Sequence, residues 1–390
     1  MPGIYSLKGV VKHYDWGGQS FIPSLLQVPN SSRKPFAEYW LGIHPLGAAA
    51  ADTGGSNATP LPMLAPSLSF LLKILDVKEM LSIQVHPSLA MAKEGYAAEN
   101  NAGIAPDAAN RNYKDPNHKP ELSVALSEFW LLHGFKPSQE LKSTLEQLPA
   151  FNELVPVFDQ EGHAGLYKYV MEMPQEKVNR MLEPLVSGLL AVQPDAPADK
   201  SSADHWVRRA CRNHEAGQDL DRGIFSIYFL NIVYLKPGEG IFQEAGVLHA
   251  YLEGQIVEIM ANSDNVLRGG LTTKHIDIPE LLKNVVAAET VPAILKGEAL
   301  NESEFLYPTA YPDFVLSRIE LQAGDTCSFD PVSEEIILLT SGKAELDDDQ
   351  VALPLQPGNP AAIIFPGQTV YIAAAAKSTV FRAKGAFHNR

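Results

Sequence analysis

The alternation of hydrophobic and polar positions divides the chain into stretches of different texture. Residues 1 to about 80 set short apolar runs between turn residues, such as Trp16-Gly17-Gly18 and Asp52-Thr53-Gly54-Gly55, and read as β-rich. The apolar run Phe70-Leu71-Leu72-Lys73-Ile74-Leu75 precedes Ser82-Ile83-Gln84-Val85-His86-Pro87, which reads as strand. Side chains alternate faces in a strand, so Gln84 and His86 point the same way. A polar stretch from 88 to 117, with small helical pieces, leads to the strand-like Leu122-Ser123-Val124-Ala125-Leu126. Then the period changes. Leu141, Leu145 and Leu148 fall at i, i+4 and i+7, and Val178, Met181, Leu182 and Leu185 keep a helical spacing, so residues 138–222 are predicted to be helical. β texture resumes near Ile224, with a strand over 229–235 and a hairpin over 241–258. A short helix starts at Ile278, and residues 300–390 are again β-rich.

Short strands separated by frequent turns predict a mainly β protein with an α-helical insert, built from two double-stranded jelly rolls of the cupin type. The expected boundaries are 1–137 plus 223–290 for the first β domain, 138–222 for the helical insert and 291–390 for the second β domain. A faint internal echo supports the pairing. Matching Gly246 of Phe242-Gln243-Glu244-Ala245-Gly246-Val247-Leu248-His249 to Gly367 sets Val370 opposite His249. The C-terminal unit is therefore expected to be metal-free.

Composition narrows the classes. At 390 residues the chain exceeds one ordinary domain, and 45% hydrophobic residues suffice for sizeable cores. A net charge of −15 argues against a nucleic-acid partner, which needs a basic face. Two cysteines, Cys211 and Cys327, form no cluster and argue against a disulfide scaffold or a thiolate metal site. The N-terminus has no apolar core of signal-peptide length, and no apolar run reaches the roughly 18 residues of a membrane span. A cytoplasmic protein without a membrane partner is expected, and a monomer is the simplest assembly.

The candidate chemistry begins at Gln84 and His86. In His118-Lys119-Pro120-Glu121, Pro120 favours an extended Lys119, which puts Lys119 and Glu121 on one face. His249 and Tyr251 share a face further on. Gln84, His86, Glu121 and His249 together offer one amide oxygen, two imidazoles and a carboxylate. Zn²⁺ is the leading ion for such a set, with Mn²⁺, Co²⁺ or Fe²⁺ possible in the same site. Trp16 and Trp40 could line a pocket, but on this stretch alone they read first as core aromatics. His13, His44, His133, His163, His205 and His214 show no partner pattern and read as structural or solvated.

Several of these motifs occur in an ordered succession that resembles one family. Leu81-Ser82-Ile83-Gln84-Val85-His86-Pro87, Asn117-His118-Lys119-Pro120-Glu121, His249-Ala250-Tyr251-Leu252 and the stretch from Met260 to Arg268 are similar to the type I mannose-6-phosphate isomerases. Tyr14-Asp15-Trp16-Gly17 and Glu38-Tyr39-Trp40-Leu41-Gly42 also fit. The resemblance runs from about residue 5 to 285. It implies one zinc per chain on Gln84, His86, Glu121 and His249, and reversible interconversion of mannose 6-phosphate and fructose 6-phosphate, in a place linking glycolysis to GDP-mannose metabolism. It also implies Arg268 as an active-site arginine, with Ser82, Lys119 and Lys274 facing a hexose 6-phosphate. Thr273, where the family commonly has proline, and Gly270 depart from the pattern around Lys274.

Aldose–ketose isomerisation through a cis-enediol needs a base, a group that polarises the carbonyl and a phosphate anchor. Glu258 and Asp264 are the carboxylate candidates for the base, with Glu258 preferred slightly, and His118 and Lys119 are proton-transfer alternatives. Tyr251 and Trp16 are expected against the substrate. Two other classes remain: a non-catalytic cupin that binds metal and sugar phosphate, and a redox-metal cupin oxygenase. Joint presence of Arg268, Lys119 and the two carboxylates favours the isomerase.

Overall fold

The computed structural model describes residues 3–192 and 199–385; residues 1–2, 193–198 and 386–390 of the expected domains lie outside it. Three antiparallel sheets and a helical region make up the described chain. Among the described residues, no helix is long and apolar enough to cross a membrane.

The C-terminal β unit shows most simply how the sequence builds two cores. The runs Ile336-Ile337-Leu338-Leu339 and Ala361-Ala362-Ile363-Ile364 are apolar at every position, unlike a strand with one wet face. They lie in strands Glu335–Ser341 and Ala361–Phe365, neighbours in a nine-stranded sheet. Successive side chains enter opposite cores. Ile337, Leu339, Ala362 and Ile364 pack against a four-stranded sheet that contributes Leu346, Val370 and Ile372. Ile336, Leu338, Ala361 and Ile363 face the other way, against Leu72, Ile74, Leu122, Val124, Val257 and Ile259 of the ten-stranded sheet. Fully burying one such side chain stabilises the fold by about 1.5–3 kcal/mol. Strands Gly240–Gln243 and His249–Ala261 flank Gly246, just as Ala361–Phe365 and Val370–Ala374 flank Gly367, so His249 and Val370 each open a strand.

The ten-stranded sheet curls around a polar interior. Strand His249–Ala261 is its spine and pairs with Phe70–Val77, Glu121–Ala125, Ile83–Val85 and Phe129–Phe135. It bends at Gly254, where φ is +122° and a side chain would collide with the Glu128 carbonyl. The bend brings Tyr251 and Glu258 onto one inner face. Ile83 and Val85 enter the core of the helical region, which leaves Gln84 between them facing the cleft.

Three expectations need correction. The hairpin over 241–258 does not form: strand Gly240–Gln243 pairs with Glu121–Ala125, because the five residues before His249 carry the chain across the barrel. Helical structure continues past residue 222 through Gly223–Phe229, whose apolar residues complete the core around Phe151 and Trp206. Strand Gly3–Lys8 pairs with Ala361–Phe365 in the C-terminal sheet, since Ile4 belongs to the C-terminal core. The first strand thus staples the two β units together.

Candidate active site

Strand alternation puts Glu121, Ser123 and Ala125 on one face of the sheet while Leu122 and Val124 go to the core on the other. In register, Glu258 lies opposite both Ser123 and Lys73, and Trp40 opposite Lys73. The interior therefore carries a layer of charge.

At one end of that layer stand His86, Glu121 and His249, all buried, with donor atoms within 4.8 Å of one another. His86 Nδ1 lies 2.9 Å from the Asn265 carbonyl oxygen, and His249 Nδ1 3.0 Å from that of Val247. A carbonyl only accepts, so both Nδ1 atoms carry the proton and both Nε2 lone pairs are free, the arrangement typical of metal-binding histidines. Glu121 Oε2 is 3.3 Å from His86 Nε2 and 3.6 Å from His249 Nε2. None of these three atoms has a hydrogen-bond partner. Donors about 2.0–2.1 Å from a tetrahedral ion stand about 3.3–3.4 Å apart, so the three orphaned atoms fit one Zn²⁺. Burial, then the Lys119 ammonium, pushes the His86 imidazole down to about 4, which keeps it neutral and ligand-ready. Burial alone would raise the Glu121 carboxyl, but Lys119, bonded to its other oxygen, and His86 hold it well below the usual carboxylate range.

Gln84 pairs in register with His249 on one side and Arg268 on the other. It lines a cleft of about 890 Å³ together with Trp16, Ser82 and Lys274, and helical residues form the facing wall. Arg268 Nε is buried without a hydrogen-bond partner, and burial lowers the guanidinium pKa. Burial, then Arg268, lowers that of Lys274. Trp16 lines the cleft and also packs against the core beneath it, and it stacks on Tyr14 with ring centroids 5.9 Å apart. Trp40 is a buried aromatic whose indole N–H donates to Glu38, and it also lines the smaller cavity that Glu38 borders.

A second cavity, of about 130 Å³, is lined by Glu38, Lys73, Lys119, His44 and Asp264. Lys73, unnoticed in the sequence, donates to Glu258 Oε2 at 2.8 Å. Burial alone would lower its pKa, but Glu258, Glu38 and Glu121 outweigh this and raise it. Burial pushes the Glu38 carboxyl up, against the Lys73 charge. The signal for Lys73 was a lone charge inside an apolar strand, which a solvated strand position would not need.

The sequence candidates separate here. Glu258 is 2% exposed and lines neither cavity; Tyr251 donates to its Oε1 at 2.7 Å and Lys73 holds the other oxygen. The slight preference for Glu258 as base loses its ground, because neither oxygen is open. Tyr251 is likewise buried, its hydroxyl 2.7 Å from Ser123 Oγ. His118 turns away to Asp313, 3.0 Å off, because the C-terminal segment supplies a carboxylate and the Tyr311 ring there. Asp264 Oδ2 lies 3.2 Å from His44 Nε2, so His44 has a partner after all. Burial opposes ionisation of Asp264, but the His44 bond and then its charge keep the carboxyl below its ordinary range.

A β-sheet that carries a buried His–Glu–His group beside buried cations defines a metal-binding protein of enzymatic character. Residues 4–138 match the family model of the phosphomannose isomerase type I catalytic domain. The mannose-6-phosphate isomerase of Escherichia coli is 35% identical over 374 residues, covering 90% of this chain and 93% of that protein. The human enzyme is 30% identical, with 92% of each chain covered. A crystal structure of mannose 6-phosphate isomerase from Salmonella typhimurium, bound to fructose 6-phosphate and zinc, superposes with a TM-score of 0.85 at 32% identity, covering 98% of this chain and 100% of that one. The chain belongs to the type I mannose-6-phosphate isomerase family.

Proposed function

We propose that this protein interconverts D-mannose 6-phosphate and D-fructose 6-phosphate with one zinc ion held by His86, Glu121 and His249 and completed by Gln84. The observation that carries this reading is the set of three orphaned donors, His86 Nε2, Glu121 Oε2 and His249 Nε2. Zinc, when bound, acts as a Lewis acid towards the sugar oxygens.

The chain's own groups supply the rest. Ser82 and Lys274, on the cleft wall, receive the phosphate. Arg268, with an unpaired buried Nε, offers donors to the reacting oxygens, which gain charge along an enediol path. Asp264 and Glu38 are the carboxylates that line the inner cavity; burial pushes Glu38 up, whereas the depressed pKa of Asp264 keeps it ionised, so Asp264 is the base that moves the proton between C2 and C1. His44 orients it. Lys73 and Lys119 place two fixed cations across the cavity, and Glu258 and Tyr251 hold Lys73 in place. A non-catalytic sugar-phosphate binder would not require this inner set.

The same reading takes the ten-stranded barrel and the C-terminal sandwich as two cupin-type jelly rolls. It also takes the protein as a cytoplasmic monomer with no nucleic-acid or membrane partner; a dimer in size-exclusion chromatography would reject the first of these. The test of function is a coupled assay with mannose 6-phosphate. Turnover that a chelator removes and added zinc restores is expected. Absence of turnover in zinc-loaded protein would overturn the proposal.

A further inference from the structure

The wall of the large cleft that faces Ser82 and Gln84 includes Asp221, from the end of the helical region. Both its carboxylate oxygens are used by backbone. Oδ1 accepts from the Gly223 N–H at 2.6 Å, and Oδ2 accepts from the Thr272 N–H at 3.1 Å. The first bond closes the turn into helix Gly223–Phe229. The second reaches 51 residues along the chain, into the loop that follows strand Leu267–Gly270 and carries Lys274.

Around this carboxylate two backbones meet without room for side chains. A Cβ on Gly270, where φ is +133°, would lie 2.5 Å from Gly223 Cα. A Cβ on Gly223 would lie 2.7 Å from the Leu271 amide nitrogen. Leu271 itself has a φ of 54°, in the left-handed region that non-glycine residues rarely adopt. Such a conformation persists where the surroundings over-determine it, and here the Asp221 bridge and the glycine contact do so. Two residues later the Lys274 N–H donates to Thr272 Oγ1 at 3.1 Å. The loop backbone held by these contacts is the one that carries Lys274.

We propose that Asp221 is a positioning residue for the substrate phosphate: its carboxylate ties the helical region to the Leu271–Lys274 loop and so sets Lys274 over the cleft. The inference rests on the reading of Lys274 as a phosphate contact. Asparagine at this position has one acceptor for two donors, so either the Gly223 or the Thr272 N–H would face an amide NH₂.

The test is a kinetic cycle with zinc-loaded protein and mannose 6-phosphate, using Asp221→Asn, Lys274→Ala and the double variant. Asp221→Asn is expected to raise KM about tenfold, the scale of losing one charge-assisted hydrogen bond, with kcat changed far less. If Asp221 acts through Lys274, the double variant is no worse than the Lys274→Ala protein. Multiplying effects on KM would overturn the positioning role, as would an unchanged KM in Asp221→Asn. An unchanged KM in Lys274→Ala would instead overturn the phosphate-contact reading beneath it. Should Asp221→Asn not fold, Gly223→Ala drives a methyl against both the Leu271 amide and Asp221 Oδ1 and so disturbs the same bridge; it is expected to raise KM in the same way, and an unchanged KM there would overturn the proposal.

Discussion

Lys73 Nζ lies 2.8 Å from Glu258 Oε2 across two paired strands, in a site where both side chains are less than a tenth exposed. A buried pair of this kind is maintained only when further bonds satisfy it. Tyr251 supplies one to Glu258, and Glu38 stands 4.0 Å from Lys73. The pair leaves one ammonium facing the small cavity beside Lys119 and no open carboxylate oxygen on Glu258. Lys73→Met is expected to lower kcat by ~10²-fold or more while zinc content stays at one per chain. It should also destabilise the fold by about 3–5 kcal/mol, because Glu258 is left buried without its partner. Denaturant unfolding and metal analysis on the same preparation read both effects, and parent-like turnover in the folded variant would remove Lys73 from the machinery.

Asp264→Asn tests the choice of base and has a distinct pH signature. The folded pKa of Asp264 is lowered, so its stabilising contribution is fully present above the unfolded value of about 3.9 and is lost as pH falls through the folded value. The stability gap between parent and variant should therefore close as pH falls from the unfolded value of about 3.9 through the lower folded value. Turnover should fall by ~10²-fold or more at every pH where the parent is active. A gap that did not close over that acid range would contradict the ionised assignment.

In the C-terminal unit, Arg382 Nε donates to Glu335 Oε2 at 2.6 Å, and its Nη1 lies 3.4 Å from Glu304 Oε1, all inside the sandwich. The guanidinium also stacks on Phe329, 3.7 Å from the ring centroid. Arg382→Leu should cost about 3–5 kcal/mol in denaturant unfolding, since two buried carboxylates lose their cation. Activity per folded molecule should not change, because the network lies in the C-terminal sheets and includes none of His86, Glu121 and His249. A loss of kcat without a loss of stability would contradict that separation.

Much of the site was legible because its chemistry sits in local, ordered motifs. His86, Glu121 and His249 stood out as donor types on strands, and alternation alone gave the shared faces of Lys119 with Glu121 and His249 with Tyr251. The inner charged layer was less legible. Lys73 hides in an apolar run, and its meaning depends on Glu258 reaching it across a strand register that the sequence does not state. His118 looked available because Asp313, its partner, lies 195 residues away. Residues 300–390 read as β-rich, yet the staple by Gly3–Lys8 is a non-local pairing that no periodicity encodes. The break from helix to strand was misplaced at 222 because Gly223–Phe229 is aromatic and β-branched, and packing overrode that local preference.

The central claim is that His86, Glu121 and His249 hold a metal on which turnover depends, while Arg268 serves the substrate. The most direct measurement is metal content alongside mannose 6-phosphate turnover in His249→Ala and Arg268→Ala. The account predicts that His249→Ala loses zinc and activity together, and that Arg268→Ala keeps one zinc per chain and loses turnover by ~10²-fold or more. Zinc-free His249→Ala protein that still isomerises the sugar phosphate would contradict it.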